Sequence, residues 1–219
     1  MEELAKAVQK KYVEDITKKY PLHRFLVLFL FLLTAYIYST GSDVRVVQAI
    51  QNVKLNFVFD FKKGLIASVT FEQLFLCIFA TGVVSYLYNQ FSSKLFIALS
   101  KLSDFDSYVK TIEEKVTAKK SDQEMLNYFL SKDISKQLED LRVKIKSNHT
   151  RSEICIAIIF CMLYGVSDFI GFDWLIIVGL ILYISLNSWL AFRFYISDFL
   201  PYYVTEQTLL GSKTSFGDN

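Results

Sequence analysis

The sequence predicts an all-α membrane protein with four transmembrane helices and a cytoplasmic antiparallel helical hairpin between spans two and three. Three observations predict this class. Of the 219 residues 53% are apolar, and the mean hydropathy is +0.32. The apolar residues lie in long runs separated by charged stretches, which is typical of integral membrane proteins. Two series of apolar residues between 93 and 152 recur at three- and four-residue steps, as in helices that pair through heptads.

Composition excludes several other classes of protein. Lys and Arg (24) nearly balance Asp and Glu (22), and the resulting formal net charge of +2 gives no reason to expect a nucleic-acid partner. The three cysteines, Cys77, Cys155 and Cys161, all lie inside apolar runs, and His23 and His149 are far apart in sequence. The ligand spacing of a zinc site is absent from the sequence, so we expect no metal and no cofactor.

The first membrane pair occupies 22–92. Its first span, at 25–40, is an uncharged run, and its second span, at 71–91, carries only Glu72, at its start. Both runs are near the roughly 20 apolar residues that a helix needs to cross a bilayer. Between them, residues 43–61 place apolar side chains on one side of a helix, which predicts an outer amphipathic segment at the membrane surface.

The second membrane pair occupies 153–196, with spans at 154–172 and 174–192. Almost no sequence separates these two runs, so we expect them to form a tight antiparallel hairpin. The following segment, 197–219, becomes polar and contains Gly and Ser towards its end, which predicts a mobile carboxyl-terminal tail.

Two segments outside the spans are predicted to form amphipathic helices. In residues 1–21, apolar side chains recur every four residues among lysines, which indicates a helix on the inner leaflet or one packed on the cytoplasmic hairpin. In 93–152 the two apolar series run from Leu95 to Val116 and from Leu126 to Ile145. Because neither series is expected to face water, the two arms pair as a hairpin or, alternatively, as an oligomeric coiled coil.

The distribution of Lys and Arg predicts the orientation. Six lie in the first 24 residues and twelve between 92 and 153, against four between 41 and 70 and none in the 171–173 turn. Because short loops rich in Lys and Arg stay on the cytoplasmic side, we expect both termini and the hairpin to lie inside. We expect a bacterial inner membrane, with the endoplasmic reticulum as the alternative.

Small and polar side chains within the spans are the candidate contact residues. Small residues at four-residue spacing let helix backbones approach closely, and a buried amide in lipid requires a hydrogen-bond partner on another helix. These patterns predict helix-packing or partner-contact residues at Cys77, Thr81, Ser85, Ala157, Cys161, Gly165 and Asn187. Asp168 and Asp173, near the turn between the last two spans, are candidates for a polar or ion contact.

The sequence contains no catalytic motif of the common kinds: it has no Gly-rich phosphate loop, no His-Glu-x-x-His and no Gly-x-Ser-x-Gly. We therefore expect a non-catalytic protein that contacts membrane lipid and a membrane or cytoplasmic protein, or a second copy of itself. By analogy of architecture alone, an immunity or exclusion factor is one such function. The alternatives are a membrane-shaping or scaffold protein of the endoplasmic reticulum and a subunit of a small oligomeric channel or transporter.

Overall fold

The predicted all-α class is confirmed for the part of the chain that the structure describes. The structure is a computed structural model that describes residues 22–40, 46–102, 105–118, 124–163 and 170–210. Of these residues 92% are helical and none is in a strand. Two of the described helices are long and apolar enough to cross a membrane. The amino-terminal helix predicted at 1–21 lies outside the described residues.

The helices follow one another closely along the described chain. They are α1 (Leu22–Ser39), α2 (Val46–Asn52), α3 (Leu55–Phe59), α4 (Leu65–Ser68), α5 (Phe71–Leu102), α6 (Phe105–Thr117), α7 (Glu124–Leu163), α8 (Gly171–Phe194), a π-helical turn (Tyr195–Phe199) and α9 (Leu200–Leu209). Helix α7 has 40 residues, so at 1.5 Å per residue it is roughly 60 Å long. That is about twice the thickness of a bilayer's hydrocarbon core. Helix α7 begins 30 residues before the predicted third span and contains residues 154–163 of it.

The described residues divide into two compact units. The first unit contains the described residues of 20–88 and 150–186, and the second unit contains those of 89–149 and 187–219. Helices α1 to α4 belong to the first unit, and α6 and α9 belong to the second. Helices α5, α7 and α8 each contribute residues to both units.

In the first unit the segment between α1 and α5 packs on α1. Leu33, Ile37 and Leu65 form a buried cluster, and the rings of Tyr36 and Phe57 meet beside it with centroids 4.8 Å apart. The prediction of one amphipathic helix over 43–61 is wrong, because the described part of this segment is broken at residues 53–54 into α2 and α3. Contacts with α1 determine this path, since apolar residues of both short helices pack against the same cluster.

Among the described residues of the second unit, five helical segments supply the buried residues of one core. Its buried residues are Phe96, Leu138, Ile145, Phe192, Tyr195, Phe199, Leu200 and Val204. Both arms of the predicted hairpin reach this core, for example through Leu99, Ile112 and Ile134. Both arms therefore contribute to a core that they share with the carboxyl-terminal helices, and the predicted two-helix hairpin is not confirmed. Its first arm is also divided between α5 and α6.

Helix α9 occupies much of the segment predicted to be a mobile tail. It packs on α6, and Leu200 and Val204 are completely buried. Polar residues of α9 also have partners: Glu206 accepts a hydrogen bond from the hydroxyl of Ser135 on α7. The prediction of a mobile tail over 197–219 is therefore wrong for 197–209, because burial of apolar side chains outweighs the polar composition. Residues 211–219 lie outside the described chain.

A π-helical turn joins α8 to α9. The amide of Leu200 donates to the carbonyl of Tyr195, five residues earlier. Pro201 accounts for the wider turn, because proline has no amide proton and its ring crowds the carbonyl four residues before it. The rings of Tyr195 and Phe199 stack as a result, with centroids 4.9 Å apart and planes inclined by 21°.

Candidate functional site

The small side chains predicted at four-residue spacing are buried inside the first unit. The stripe on α5 consists of Cys77, Thr81 and Ser85, and the described part of the stripe on α7 consists of Ala157 and Cys161; each of the five is at most 9% exposed. Ala157 packs with Val27 of α1 and Val84 of α5. Ala157 therefore packs between α1 and α5, whereas Cys77 and Cys161 line a groove between α1, α5 and α7. Gly165 lies outside the described residues.

A carboxylate, an imidazole and a hydroxyl meet at one end of these stripes. Glu153 of α7 is only 3% exposed. Its Oε2 lies 2.8 Å from Nε2 of His23 on α1, and its Oε1 accepts a hydrogen bond from the hydroxyl of Ser85 on α5. We call these three side chains the polar cluster. It connects three helices that are distant in sequence.

Both carboxylate oxygens of Glu153 therefore have partners, as a carboxylate buried among apolar helices requires. The contact of 2.8 Å between Nε2 and Oε2 places a proton between the two atoms, whichever of them holds it. The His23 side chain is 19% exposed and that of Glu153 is 4% exposed. The imidazole is consequently the member of the pair that reaches the surface of the first unit.

The order of the polar cluster differs from that of a hydrolase triad. In a triad the histidine stands between the serine and the acid and removes the serine proton. Here Glu153 stands between Ser85 and His23, so the hydroxyl contacts the carboxylate and not the imidazole. Within the described residues, no group of three or more His, Cys, Asp and Glu side chains could hold a metal ion. The arrangement can bind a proton and connect helices.

Sequence reasoning missed His23 and Glu153, although one signal for Glu153 was available. The predicted third span begins at residue 154, which leaves Glu153 outside it by one position. Yet Glu153 stands four residues before Ala157 and so continues the small-residue stripe of α7. Ser85 is the last member of the stripe on α5, so the contact joins the end of one predicted stripe to the residue one helical turn before the other. Nothing in the sequence indicates the pairing with His23, 130 residues away.

Asn187 makes a hydrogen bond between two helices of the second unit. It is 8% exposed, and its Nδ2 donates to the carbonyl of Asn148 on α7 at 2.7 Å. This contact satisfies the amide inside one chain, as a buried amide in an apolar helix requires.

Asp173, a candidate for an ion contact, caps the start of α8. It is 1% exposed, its Oδ2 accepts the Ile170 amide at 3.0 Å, and its own amide donates to the Ile170 carbonyl at 3.0 Å. An acidic side chain in the first turn also interacts favourably with the helix dipole. These contacts give the carboxylate a capping role through Oδ2, and the ion contact stays a prediction. Asp168 lies outside the described residues.

No protein family, curated protein or solved structure is significantly similar to the chain. The fold and the site define the class: an all-helical chain, as far as it is described, with two helices that could span a membrane and a polar cluster buried between apolar helices.

Proposed function

We propose that the chain is a non-catalytic, multi-pass membrane protein that acts through contact with another protein in and beside the bilayer. The observation that carries this proposal is the exposure of its two longest apolar helices. In the most apolar stretch of residues 71–99 only 22% of the residues are buried. In the most apolar stretch of residues 171–209 only 33% are buried. A helix in the core of a soluble protein is mostly buried, whereas lipid removes the cost of leaving apolar side chains exposed.

The proposed topology has four spans with both termini and residues 93–152 on the cytoplasmic side. Helix α5 and α8 supply two spans, and α1 and the carboxyl-terminal part of α7 supply the other two. The polar cluster supports this arrangement, because it ties the amino-terminal end of α1 to α5 and α7 near the predicted cytoplasmic boundary. The Lys and Arg distribution gives the orientation. A bacterial inner membrane is the proposed location, and an immunity or exclusion role is one form of the contact function.

An exposed apolar face outside the predicted spans supports the contact part of the proposal. At the start of α7, Met125, Tyr128 and Phe129 are 75%, 57% and 58% exposed, whereas the polar Asn127 and Ser131 are each 3% exposed. Apolar patches that remain exposed on a folded chain mark sites of protein or membrane interaction. We propose that this face binds the protein partner.

Cysteine labelling tests the topology and the contact in one experiment. In a chain whose native cysteines are replaced, Lys62→Cys should react with an impermeant maleimide in intact cells, and Ser121→Cys should react only after permeabilisation. The reverse pattern would overturn the orientation, and release of the protein by carbonate would overturn the membrane assignment.

The same labelling experiment tests the contact at the apolar face of α7. In permeabilised cells Phe129→Cys should react more slowly than Glu139→Cys, because a bound partner covers the first and not the second. Both positions are exposed in the chain itself, which makes Glu139→Cys the matched control. Equal rates of labelling would contradict a contact at this face.

A second candidate, a subunit of a small proton-linked channel or transporter, is favoured by the polar cluster. Ionisable side chains buried between apolar helices often mark ion or proton pathways. The chain reconstituted in vesicles would then dissipate a pH gradient, and Glu153→Gln would abolish this activity. A gradient that decays at the same rate in protein-free vesicles would exclude this candidate.

A further inference from the structure

A mostly apolar groove lies between α1, α5 and α7 in the first unit. Its volume is about 530 Å³, which is within the range of about 300–1,000 Å³ of small-molecule sites. Phe31 of α1 and Val83 of α5 are among its apolar lining residues. The short side chains of Ala35 and Ala80, which also line it, leave the space that larger residues would fill.

The polarity of the groove changes along its length. Its polar lining residues include Tyr38 and Ser39, at the end of α1, and Gln73, in the first turn of α5. Gln73 is fixed there by reciprocal hydrogen bonds with Thr70. Its side-chain Oε1 accepts the backbone amide of Thr70 at 3.0 Å, and its backbone amide donates to the Thr70 hydroxyl at 3.2 Å. One end of the groove is therefore polar, and apolar side chains predominate away from it.

The length of the groove matches one leaflet of a bilayer. Eight residues of α1 separate Phe31 from Ser39, a rise of roughly 12 Å, and eleven residues of α5 separate Gln73 from Val84, a rise of roughly 16 Å. Half of a hydrocarbon core that is about 30 Å thick is about 15 Å. The groove thus extends from a polar end at the proposed outer surface to about the depth of the membrane's midplane.

We propose that this groove binds one acyl chain of a membrane lipid, with the lipid headgroup at the Tyr38 and Gln73 end. The groove is continuous with the apolar surface of α5, because Leu76 and Phe79, which line it, are 60% and 71% exposed. A molecule with a polar head and an apolar tail matches both ends of the groove. The inference rests on the proposed function, since that surface must face lipid for an acyl chain to enter.

A photoreactive lipid tests the proposal. The full chain is reconstituted in vesicles of phosphatidylcholine and phosphatidylglycerol that contain a phosphatidylcholine with a diazirine in its acyl chain. After irradiation, mass spectrometry gives the labelling of residues 31–39 and 76–84 relative to the exposed face of α8. We expect Ala80→Phe to lower this ratio by roughly tenfold, because the added ring occupies space that the acyl chain requires.

Gly82→Phe is the matched control. A Cβ atom at Gly82 would meet nothing within 4 Å, so the same ring is added to α5 outside the groove and the ratio should not change. Ala35→Phe blocks the groove from α1 and gives an independent test should Ala80→Phe fail to insert. Equal labelling in the wild type and both groove variants would overturn the proposal.

Carbonate extraction separates the two possible failures. Release of the wild-type chain from membranes would contradict the proposed function itself. A chain that stays in the membrane but shows no loss of groove labelling in the variants would contradict the acyl-chain site alone.

Discussion

Replacing Glu153 with alanine is expected to lower the free energy of unfolding by about 3 kcal/mol. The substitution leaves Ser85 and His23 without the oxygens that they contact, and it removes the link between α1, α5 and α7. Leaving a buried polar group without its hydrogen-bond partner costs about 1–3 kcal/mol. Two groups lose their partner here, of which His23 is partly exposed and reaches solvent. The free energy of unfolding is measured in mixed micelles with increasing dodecyl sulfate. The fluorescence of the two tryptophans reports the unfolding.

Two variants complete this experiment. Glu153→Gln keeps the shape of the side chain and an acceptor for Ser85, so its loss should be about 1 kcal/mol. Glu139→Ala removes a carboxylate from an exposed position of the same helix and should change the free energy by less than about 0.5 kcal/mol. If Glu153→Ala and Glu139→Ala unfold at the same denaturant concentration, the polar cluster does not hold the three helices together.

Replacing Phe199 with alanine is expected to lower the free energy of unfolding by about 3–5 kcal/mol. Phe199 is completely buried in the core of the second unit and lies between the rings of Tyr195 and Tyr203, with centroid distances of 4.9 and 6.2 Å. The guanidinium of Arg142 lies 5.8 Å from the centre of the same ring. Truncation removes these contacts and leaves a cavity. Thermal unfolding in detergent measures the loss.

Two control variants distinguish the effect of losing apolar volume at Phe199 from the effect of losing its aromatic contacts. Phe199→Leu retains most of the apolar volume and should lose less, because aromatic pairs contribute only about 0.5–1.5 kcal/mol beyond their buried area. Phe129→Ala makes the same truncation as Phe199→Ala at a side chain that is 58% exposed, and it should be nearly neutral in the isolated chain. Comparable losses at Phe199 and Phe129 would contradict the described core.

The apolar runs predicted where helices lie but not where they end. An uncharged run gives the part of a helix that lipid or a core requires, and α5 and α7 both continue beyond it into charged sequence. Amphipathic periodicity was a weaker guide. Leu138 and Ile145 of the second apolar series are buried, whereas Leu126 and Leu130 of the same series are 47% and 46% exposed. Periodicity predicts which face of the helix is apolar. It does not predict over what length of the helix other segments pack on that face.

Long-range contacts account for what the sequence could not predict. Burial of Leu200 and Val204 depends on the surface offered by other helices of the second unit, so α9 was assigned to a tail on composition alone. The polar cluster was missed for the same reason, since His23 and Glu153 have no local pattern in common. The four-residue spacing of Cys77, Thr81 and Ser85 is a local property, and all three of these residues are buried.

The separation of His23 from Glu153 has a consequence for biosynthesis. The two residues are 130 positions apart, and ribosomes add about 5–20 residues per second, so roughly 7–26 s pass between the synthesis of the histidine and that of its partner. During this interval the nascent chain holds α1 and α5 without the side chain that joins them. Emergence of α7 from the ribosome therefore completes the three-helix arrangement, and a chain truncated before that point would lack the partner of this histidine.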